Sequence, residues 1–94
     1  MLQHGLADSA YCWVLHDTEL SPAFVLARAG YDVWLGNSRG NPFSRKHTTL
    51  NADHDKKKYF DFSFYEMGKY DLPAMIEMIQ GKTDGQKVAY IGHS

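Results

Sequence analysis

The carboxyl-terminal residues limit the fold of this chain more than any other segment. Lys87–Ile91 is a short, mostly apolar run that leads directly into Gly92-His93-Ser94. Such a run is typical of a strand buried in a parallel sheet. Gly-x-Ser directly after a strand is typical of a tight turn that raises a nucleophilic serine above the sheet. Because Gly-His-Ser alone is also a common structural turn, both interpretations of Ser94 stay open at this point.

The length and composition indicate one soluble globular unit. The chain has 94 residues, of which 44% are hydrophobic and 22% are charged, so it forms one domain at most and matches neither a disordered nor a membrane-spanning segment. Its net charge of −1 gives no attractive field for nucleic acid or an anionic membrane. The one basic run, Lys56–Lys58, has Asp53 and Asp55 beside it and is predicted to be a solvated loop.

Cysteine and histidine spacing predicts neither a disulfide nor a metal site. Cys12 is the only cysteine, and no motif marks a catalytic partner for its thiol. The five histidines lack the spacing of metal ligands, and we expect no metal and no cofactor. The first residues lack a basic segment followed by an apolar run, so no signal peptide and no transmembrane segment are expected within this chain.

The first part of the chain predicts a strand, a helix and a second strand. Met1–Gln3 is predicted to be the end of a strand. Ser21 followed by Pro22 is typical of a helix start, and Gly30 is suited to the left-handed conformation that ends a helix. Tyr31–Leu35 then contains the continuous apolar residues of a buried parallel strand.

The second part predicts a long loop, an extended segment, a helix and a third strand. Gly36–Lys58 is polar, and connections of this length are often functional. We expect Arg39 to fix this loop through hydrogen bonds to carboxylate or carbonyl groups. Alternating aromatic residues predict an extended segment with one buried face, formed by Phe60, Phe62 and Phe64.

The next helix is predicted to begin at Asp71, with the carboxylate as its cap. Leu72, Ile76 and Ile79 lie at helical spacing and predict one core-facing stripe. The strand and helix order therefore predicts an α/β fold with about three parallel strands joined by crossover helices. In such folds ligands bind at the carboxyl ends of the strands. His4-Gly5-Leu6, Gly36–Gly40 and Gly92–Ser94 all leave from those ends, and this shared location favours a functional Ser94.

Acyl transfer chemistry suits these three loops. Attack on an ester carbonyl creates an oxyanion, which preorganised backbone N–H groups stabilise. A loop after the first strand, with a glycine that permits close approach, meets this need at His4-Gly5-Leu6.

The chain resembles the acid lipases of the gastric and lysosomal type, within the α/β-hydrolase superfamily. The block Gly36–Asn41 is highly specific. The matching residues extend over nearly the whole chain: Leu2–Leu6, Ala29–Asn41, Ser44–His47, Phe62–Phe64, Glu66–Met67, Lys69–Ala74 and Gly92–Ser94. The resemblance predicts a partial α/β-hydrolase domain over residues 1–94, truncated at both ends.

By this resemblance Ser94 is the catalytic nucleophile and the backbone N–H of Leu6 is one oxyanion-hole donor. In such a triad the acid and the histidine follow the serine along the chain. The second donor belongs to the residue after the serine. The resemblance therefore implies that these three groups lie outside residues 1–94, and that His93, inside the elbow pattern, is not the triad histidine.

Three hypotheses follow for function. The first is a fragment of a serine lipase or carboxylic ester hydrolase, of triacylglycerol or cholesteryl ester type, that is inactive as this chain alone. Its partners would be neutral lipid or other carboxylic esters, with transient lipid-surface contact and a secreted or lysosomal location for a full-length parent. The second is a non-catalytic α/β-hydrolase-like interaction module. The third is a thioesterase or short-chain esterase.

Overall fold

A computed structural model describes all residues 1–94 and shows a parallel sheet of three strands. The strands are β1 (Leu2–Gln3), β2 (Leu35–Gly36) and β3 (Ile91–Gly92). They lie in the order β2-β1-β3, so the first strand of the sequence is the central one. Leu2 pairs with both Leu35 and Ile91. The predicted α/β architecture with three parallel strands is confirmed.

The strands are shorter than the predicted apolar runs. Of Tyr31–Leu35 and Lys87–Ile91, only the last residue of each run lies in a strand. Each ladder gains one further backbone bond on its amino side, from Leu2 N–H to the Trp34 oxygen and from Ile91 N–H to the Met1 oxygen.

The first long helix begins and ends where the sequence predicts. After a 3₁₀ turn at Ala10–Trp13, helix α1 covers Pro22–Arg28. The Ser21 hydroxyl makes no cap hydrogen bond and instead donates to the His16 carbonyl oxygen at 2.7 Å. Gly30 has φ of +97°, the left-handed conformation that ends a helix.

The segment predicted to be extended, Phe60–Phe64, lies between two short helices, and the last of its residues is already helical. Phe60 and Phe64 are both exposed, so the predicted buried face is wrong. Helix α2 covers Lys56–Tyr59, so the predicted lysine loop is a helical turn whose three lysines are exposed. Helix α3 covers Phe64–Glu66 and continues through a π-helical segment, Met67–Asp71, into helix α4, Leu72–Lys82. Phe64 is 82% exposed rather than buried.

A capping box explains why the helix begins early. The Ser63 hydroxyl accepts from Tyr65 N–H, and the Glu66 carboxylate accepts from Ser63 N–H at 2.7 Å. Asp71 therefore lies inside a helical segment, and its carboxylate makes no cap hydrogen bond. The prediction that Asp71 starts the helix is wrong.

The apolar core is small. In the apolar stripe predicted for α4, Ile79 is only 4% exposed, and Leu72 and Ile76 are half-buried. Only 9 of the 94 residues are buried, and Leu2 in the central strand is the largest fully buried apolar side chain. An apolar cavity of about 430 Å³ opens at the residues leading into β2 and β3 and is lined from the helices by Leu26 and Ile79. No helix of the structure combines the length and the apolar character needed to cross a membrane.

Candidate active site

Three loops meet at the carboxyl ends of the strands, as the sequence predicts. We call them the glycine loop (His4–Leu6), the polar loop (Asn37–Asn41) and the serine loop (Gly92–Ser94). The backbone N–H of His93 donates to the Gln3 oxygen at 3.1 Å, which attaches the serine loop beside β1. The parallel register brings all three loops to one edge of the sheet.

Ser94 lies directly against the glycine loop. A Cβ atom at Gly5 would lie 2.7 Å from the Ser94 Cβ and 2.8 Å from the His93 carbonyl oxygen, closer than any real side chain is found. Glycine is therefore required at position 5 for this approach. Ser94 is exposed and has φ of +64°, a conformation that is uncommon outside glycine and is often found at functional turns.

The backbone N–H of Leu6 has no hydrogen-bond partner within the protein. Leu6 and Ser94 line the same cleft of about 510 Å³. The cleft is lined by both polar and apolar side chains. The polar ones include Gln3, His4, Ser38 and Ser63, and the apolar ones include Leu6, Phe64, Met67, Leu72 and Met75. Ser94 and Leu6, whose backbone N–H is free, therefore line one cleft together with apolar side chains.

The buried His4 ring joins the glycine loop to the polar loop. His4 is 7% exposed, and its Nε2 accepts from the backbone N–H of Ser38 at 3.0 Å. Its Nδ1 lies 2.7 Å from the carbonyl oxygen of Gly5. The sequence singled out His4 only as part of a His-Gly turn and gave no indication that its ring holds two loops together.

Asn41 is the second anchor of the polar loop. Its Nδ2 lies 3.1 Å from His4 Nε2 and donates to Asn37 Oδ1 at 2.8 Å. Asn37 Oδ1 also accepts from Ala10 N–H at 2.9 Å, which joins this loop to the 3₁₀ turn. The asparagines of the polar loop therefore join it to the glycine loop and to the 3₁₀ turn.

Arg39 attaches the polar loop to the helical segment, as the sequence predicts. Its backbone N–H and its Nε donate to the two carboxylate oxygens of Asp71 at 3.0 and 2.8 Å, and Nη2 lies 2.7 Å from Oδ1. The guanidinium carbon lies 5.6 Å from the Phe62 ring centre. The hydrogen bond to Asp71 raises the pKa of Arg39 above its ordinary value. Arg39 is thus held in place by a charged and an aromatic partner.

The remaining titratable groups supply neither a thiol nucleophile nor a metal site. Partial burial, and then the nearby Asp8 carboxylate, raise the pKa of the Cys12 thiol, which disfavours the nucleophilic thiolate. The structure contains no group of three histidine, cysteine or acidic side chains that could hold a metal ion. Ser94 is therefore the nucleophile candidate, and it lines one cleft with Leu6, whose backbone N–H has no partner within the protein.

The whole chain is similar in sequence to known proteins. Residues 1–94 match the family described as alpha/beta hydrolase fold. The chain is 52% identical over 93 residues to human lysosomal acid lipase/cholesteryl ester hydrolase, covering 99% of this chain and 23% of the relative. It is 54% identical over 93 residues to mouse gastric triacylglycerol lipase, with the same coverages. It is also 52% identical over 94 residues to Lipase 1 of Drosophila melanogaster, covering 100% of this chain and 21% of the relative. The chain thus spans between a fifth and a quarter of these relatives.

Proposed function

The chain belongs to the α/β-hydrolase family, and from this premise we propose that its residues are the part of a serine carboxylic ester hydrolase that carries the nucleophile. The match over residues 1–94 confirms the predicted fold, and identities near 50% confirm the resemblance to gastric and lysosomal acid lipases. The observation that carries the proposal is the cleft that Ser94 and Leu6 line together, with the Leu6 N–H unpartnered within the protein.

Ser94 acts as the nucleophile in this proposal. Its Oγ attacks the ester carbonyl carbon, the bond to the leaving alkoxide breaks, and the serine proton goes through a general base to the departing alcohol. Water then attacks the acyl-serine, the carboxylic acid leaves, and the proton returns to Ser94. The positive φ of Ser94 supports this role, because a strained turn presents the hydroxyl above the sheet.

The Leu6 N–H stabilises the oxyanion of the tetrahedral intermediate. Because no protein group accepts from this N–H, it is available to a substrate without breaking a hydrogen bond. A single oxyanion donor of this kind is worth about 10²–10³ in kcat. Gly5 supports the assignment, since it allows the peptide unit next to Leu6 to lie against Ser94.

The substrate is a carboxylic ester with an apolar acyl group. The apolar wall formed by Phe64, Met67 and Leu72 lies in the cleft of Ser94 and suits a hydrocarbon chain. The names of the human and mouse relatives, a cholesteryl ester hydrolase and a triacylglycerol lipase, support neutral lipid as the class. The same names support a lysosomal or secreted location, and transient contact with a lipid surface, for a full-length protein. The proposed chemistry needs no cofactor.

Residues 1–94 form part of a larger catalytic domain in this proposal. They offer no histidine and acid arranged as a triad with Ser94, and the second oxyanion donor belongs to the residue after the serine. The small number of buried residues and the open apolar cavity beside Leu26 and Ile79 support further covering structure. We therefore expect no ester turnover by this chain alone.

Two measurements test the proposal. The transcript should encode a glycine two residues after Ser94, followed by an aspartate and a histidine at the positions of the family triad. The full-length product should hydrolyse nitrophenyl butyrate and should gain the mass of one fluorophosphonate probe at Ser94. Ser94→Ala should remove both signals, whereas His54→Gln at an exposed histidine should retain them.

The same measurements separate the alternatives. A transcript without the downstream glycine, aspartate and histidine would overturn the enzyme proposal in favour of an interaction module. Faster hydrolysis of acyl thioesters than of matched oxygen esters would favour a thioesterase. Turnover by the 94-residue chain that Ser94→Ala abolishes would overturn the expected inactivity of the chain alone.

A further inference from the structure

The carbonyl oxygen that His4 contacts belongs to the same peptide unit as the Leu6 N–H. Nδ1 of His4 lies 2.7 Å from the oxygen of Gly5, and the Gly5 carbonyl and the Leu6 N–H are the two ends of one planar amide. We propose that His4 is a positioning residue, which sets the direction of the Leu6 N–H by holding the opposite end of this peptide. The inference rests on the proposed ester hydrolase function.

The first step is the assignment of the ring proton. A backbone N–H can only donate, so the 3.0 Å contact from Ser38 N–H makes His4 Nε2 an acceptor. A neutral imidazole with an accepting Nε2 carries its proton on Nδ1. The contact to Gly5 is therefore an Nδ1–H donated to the carbonyl oxygen.

Asn41 gives the same assignment independently. Its Oδ1 accepts from the backbone N–H of Phe43 at 3.0 Å, which fixes which end of the amide is oxygen. The other end, Nδ2, then faces His4 Nε2 at 3.1 Å as a donor. Two donors on separate residues thus both require an unprotonated Nε2.

The second step is the effect on the peptide unit. In a trans peptide the C=O and N–H point in opposite directions, so a hydrogen bond that fixes the oxygen also fixes the direction of the N–H. Donation to the oxygen polarises the amide and strengthens its N–H as a donor. His4 is 7% exposed, so water does not compete strongly for these bonds. Since both ring nitrogens are occupied, His4 is not the general base of the reaction.

Two substitutions at His4 separate the contributions of its two ring nitrogens. In His4→Asn the side-chain NH₂ can occupy the place of Nδ1 and keep the bond to Gly5, while the acceptor for Ser38 is lost. In His4→Gln the amide oxygen can reach the place of Nε2 and accept from Ser38, while the donor to Gly5 is lost. His54→Gln, at an exposed histidine, controls for the substitution itself.

The full-length protein with nitrophenyl butyrate provides the assay. We expect His4→Gln to lower kcat about 10–100-fold with little change in KM, a part of the loss seen when an oxyanion donor is removed. His4→Asn should keep kcat within about threefold of wild type yet unfold at lower temperature, because its loop anchor is lost. If His4 only anchored the polar loop, the order would be reversed. His4→Gln would then be the more active variant, because it keeps the bond to Ser38.

The tautomer provides a second readout that does not depend on activity. In ¹⁵N-histidine NMR, the signal that disappears in His4→Gln or His4→Asn should show a protonated Nδ1 and an unprotonated Nε2 at pH 7. The Nε2–H tautomer, or equal kcat losses in both variants, would overturn the positioning role. Absence of Ser94-dependent turnover in the wild-type protein would instead overturn the proposed function, and the NMR result would then still decide the geometry of His4.

Discussion

Gly5 and Ser94 approach so closely that the space for a side chain at position 5 is already occupied. A methyl group there would lie 2.7 Å from the Ser94 Cβ and 2.8 Å from the carbonyl oxygen of His93. Contacts of this length are repulsive, and one of the two partners is backbone that cannot rotate away. The glycine loop and the serine loop are therefore fitted to each other at this one position.

Gly5→Ala should separate the two loops and lower activity. A displacement of about 1 Å between reacting groups costs on the order of 100-fold in rate, so we expect about that loss in kcat for nitrophenyl butyrate in the full-length protein. Gly81→Ala is the matched control, because nothing lies within 4 Å of a Cβ at Gly81 in α4. It should retain activity and stabilise the helix by about 0.5–1 kcal/mol. Equal activity of the two variants would contradict the close approach at Gly5.

Asp71→Asn should destabilise the protein by releasing the polar loop from the helix. The carboxylate holds both the backbone and the side chain of Arg39, and Asp71 is only 14% exposed. Asparagine keeps one acceptor oxygen and loses the charge, for an expected cost of about 2 kcal/mol in urea unfolding. Asp53→Asn breaks the Arg45–Asp53 pair, in which Asp53 is 76% exposed, and should cost about 0.5 kcal/mol or less. Similar costs for both would show that the Arg39 pair is no stronger than a surface pair.

The sequence predicts the order of the main elements well because the signals are local. Pro22 and Gly30 mark the ends of α1 through their own backbone preferences. The alternation of Phe60, Phe62 and Phe64 leads to a wrong prediction of a buried extended segment. The pattern covers few residues, and the capping box begins a helix within it. The sequence does contain the capping box, since serine followed three residues later by glutamate, as in Ser63 and Glu66, is a typical helix start.

The contacts that organise the candidate site are harder to predict because they join distant residues. The His4 ring nitrogen meets Ser38 across 34 positions, and Arg39 meets Asp71 across 32. Neither partner choice follows from local propensity, since it depends on how the strands align. The meeting of three loops was predictable from the parallel topology, whereas the hydrogen bonds between them were not.

Cys12 should react slowly with alkylating reagents. Partial burial and the Asp8 carboxylate raise the pKa of its thiol, so less thiolate is present at pH 7 than in a free thiol. At pH 7 iodoacetamide should react more slowly with Cys12 than with the thiol of glutathione, and the rate of Cys12 labelling should rise with pH. Cys12→Ser should leave ester turnover unchanged. Rapid labelling at neutral pH would contradict the raised pKa, and loss of turnover in Cys12→Ser would give the thiol a part in the reaction.

The capping box at the start of α3 should make stability depend on pH through Glu66. The hydrogen bond from the Ser63 backbone N–H lowers the pKa of Glu66 below its ordinary value, near 4.5. A carboxyl group with a lower pKa in the folded state binds fewer protons there. Its contribution is therefore complete above the unfolded pKa and is lost as the pH falls through the folded one.

Thermal unfolding of the wild-type protein and of Glu66→Gln tests this dependence. Glutamine keeps an oxygen that can accept from Ser63 N–H but cannot ionise, so the two proteins differ chiefly in charge. We expect wild type to unfold at a higher temperature at pH 7 and the difference to shrink below pH 4.5. Glu77→Gln, at an exposed glutamate of α4, serves as the control. A difference between wild type and Glu66→Gln that stays constant from pH 7 to pH 3 would show that the charge of Glu66 does not stabilise the helix start.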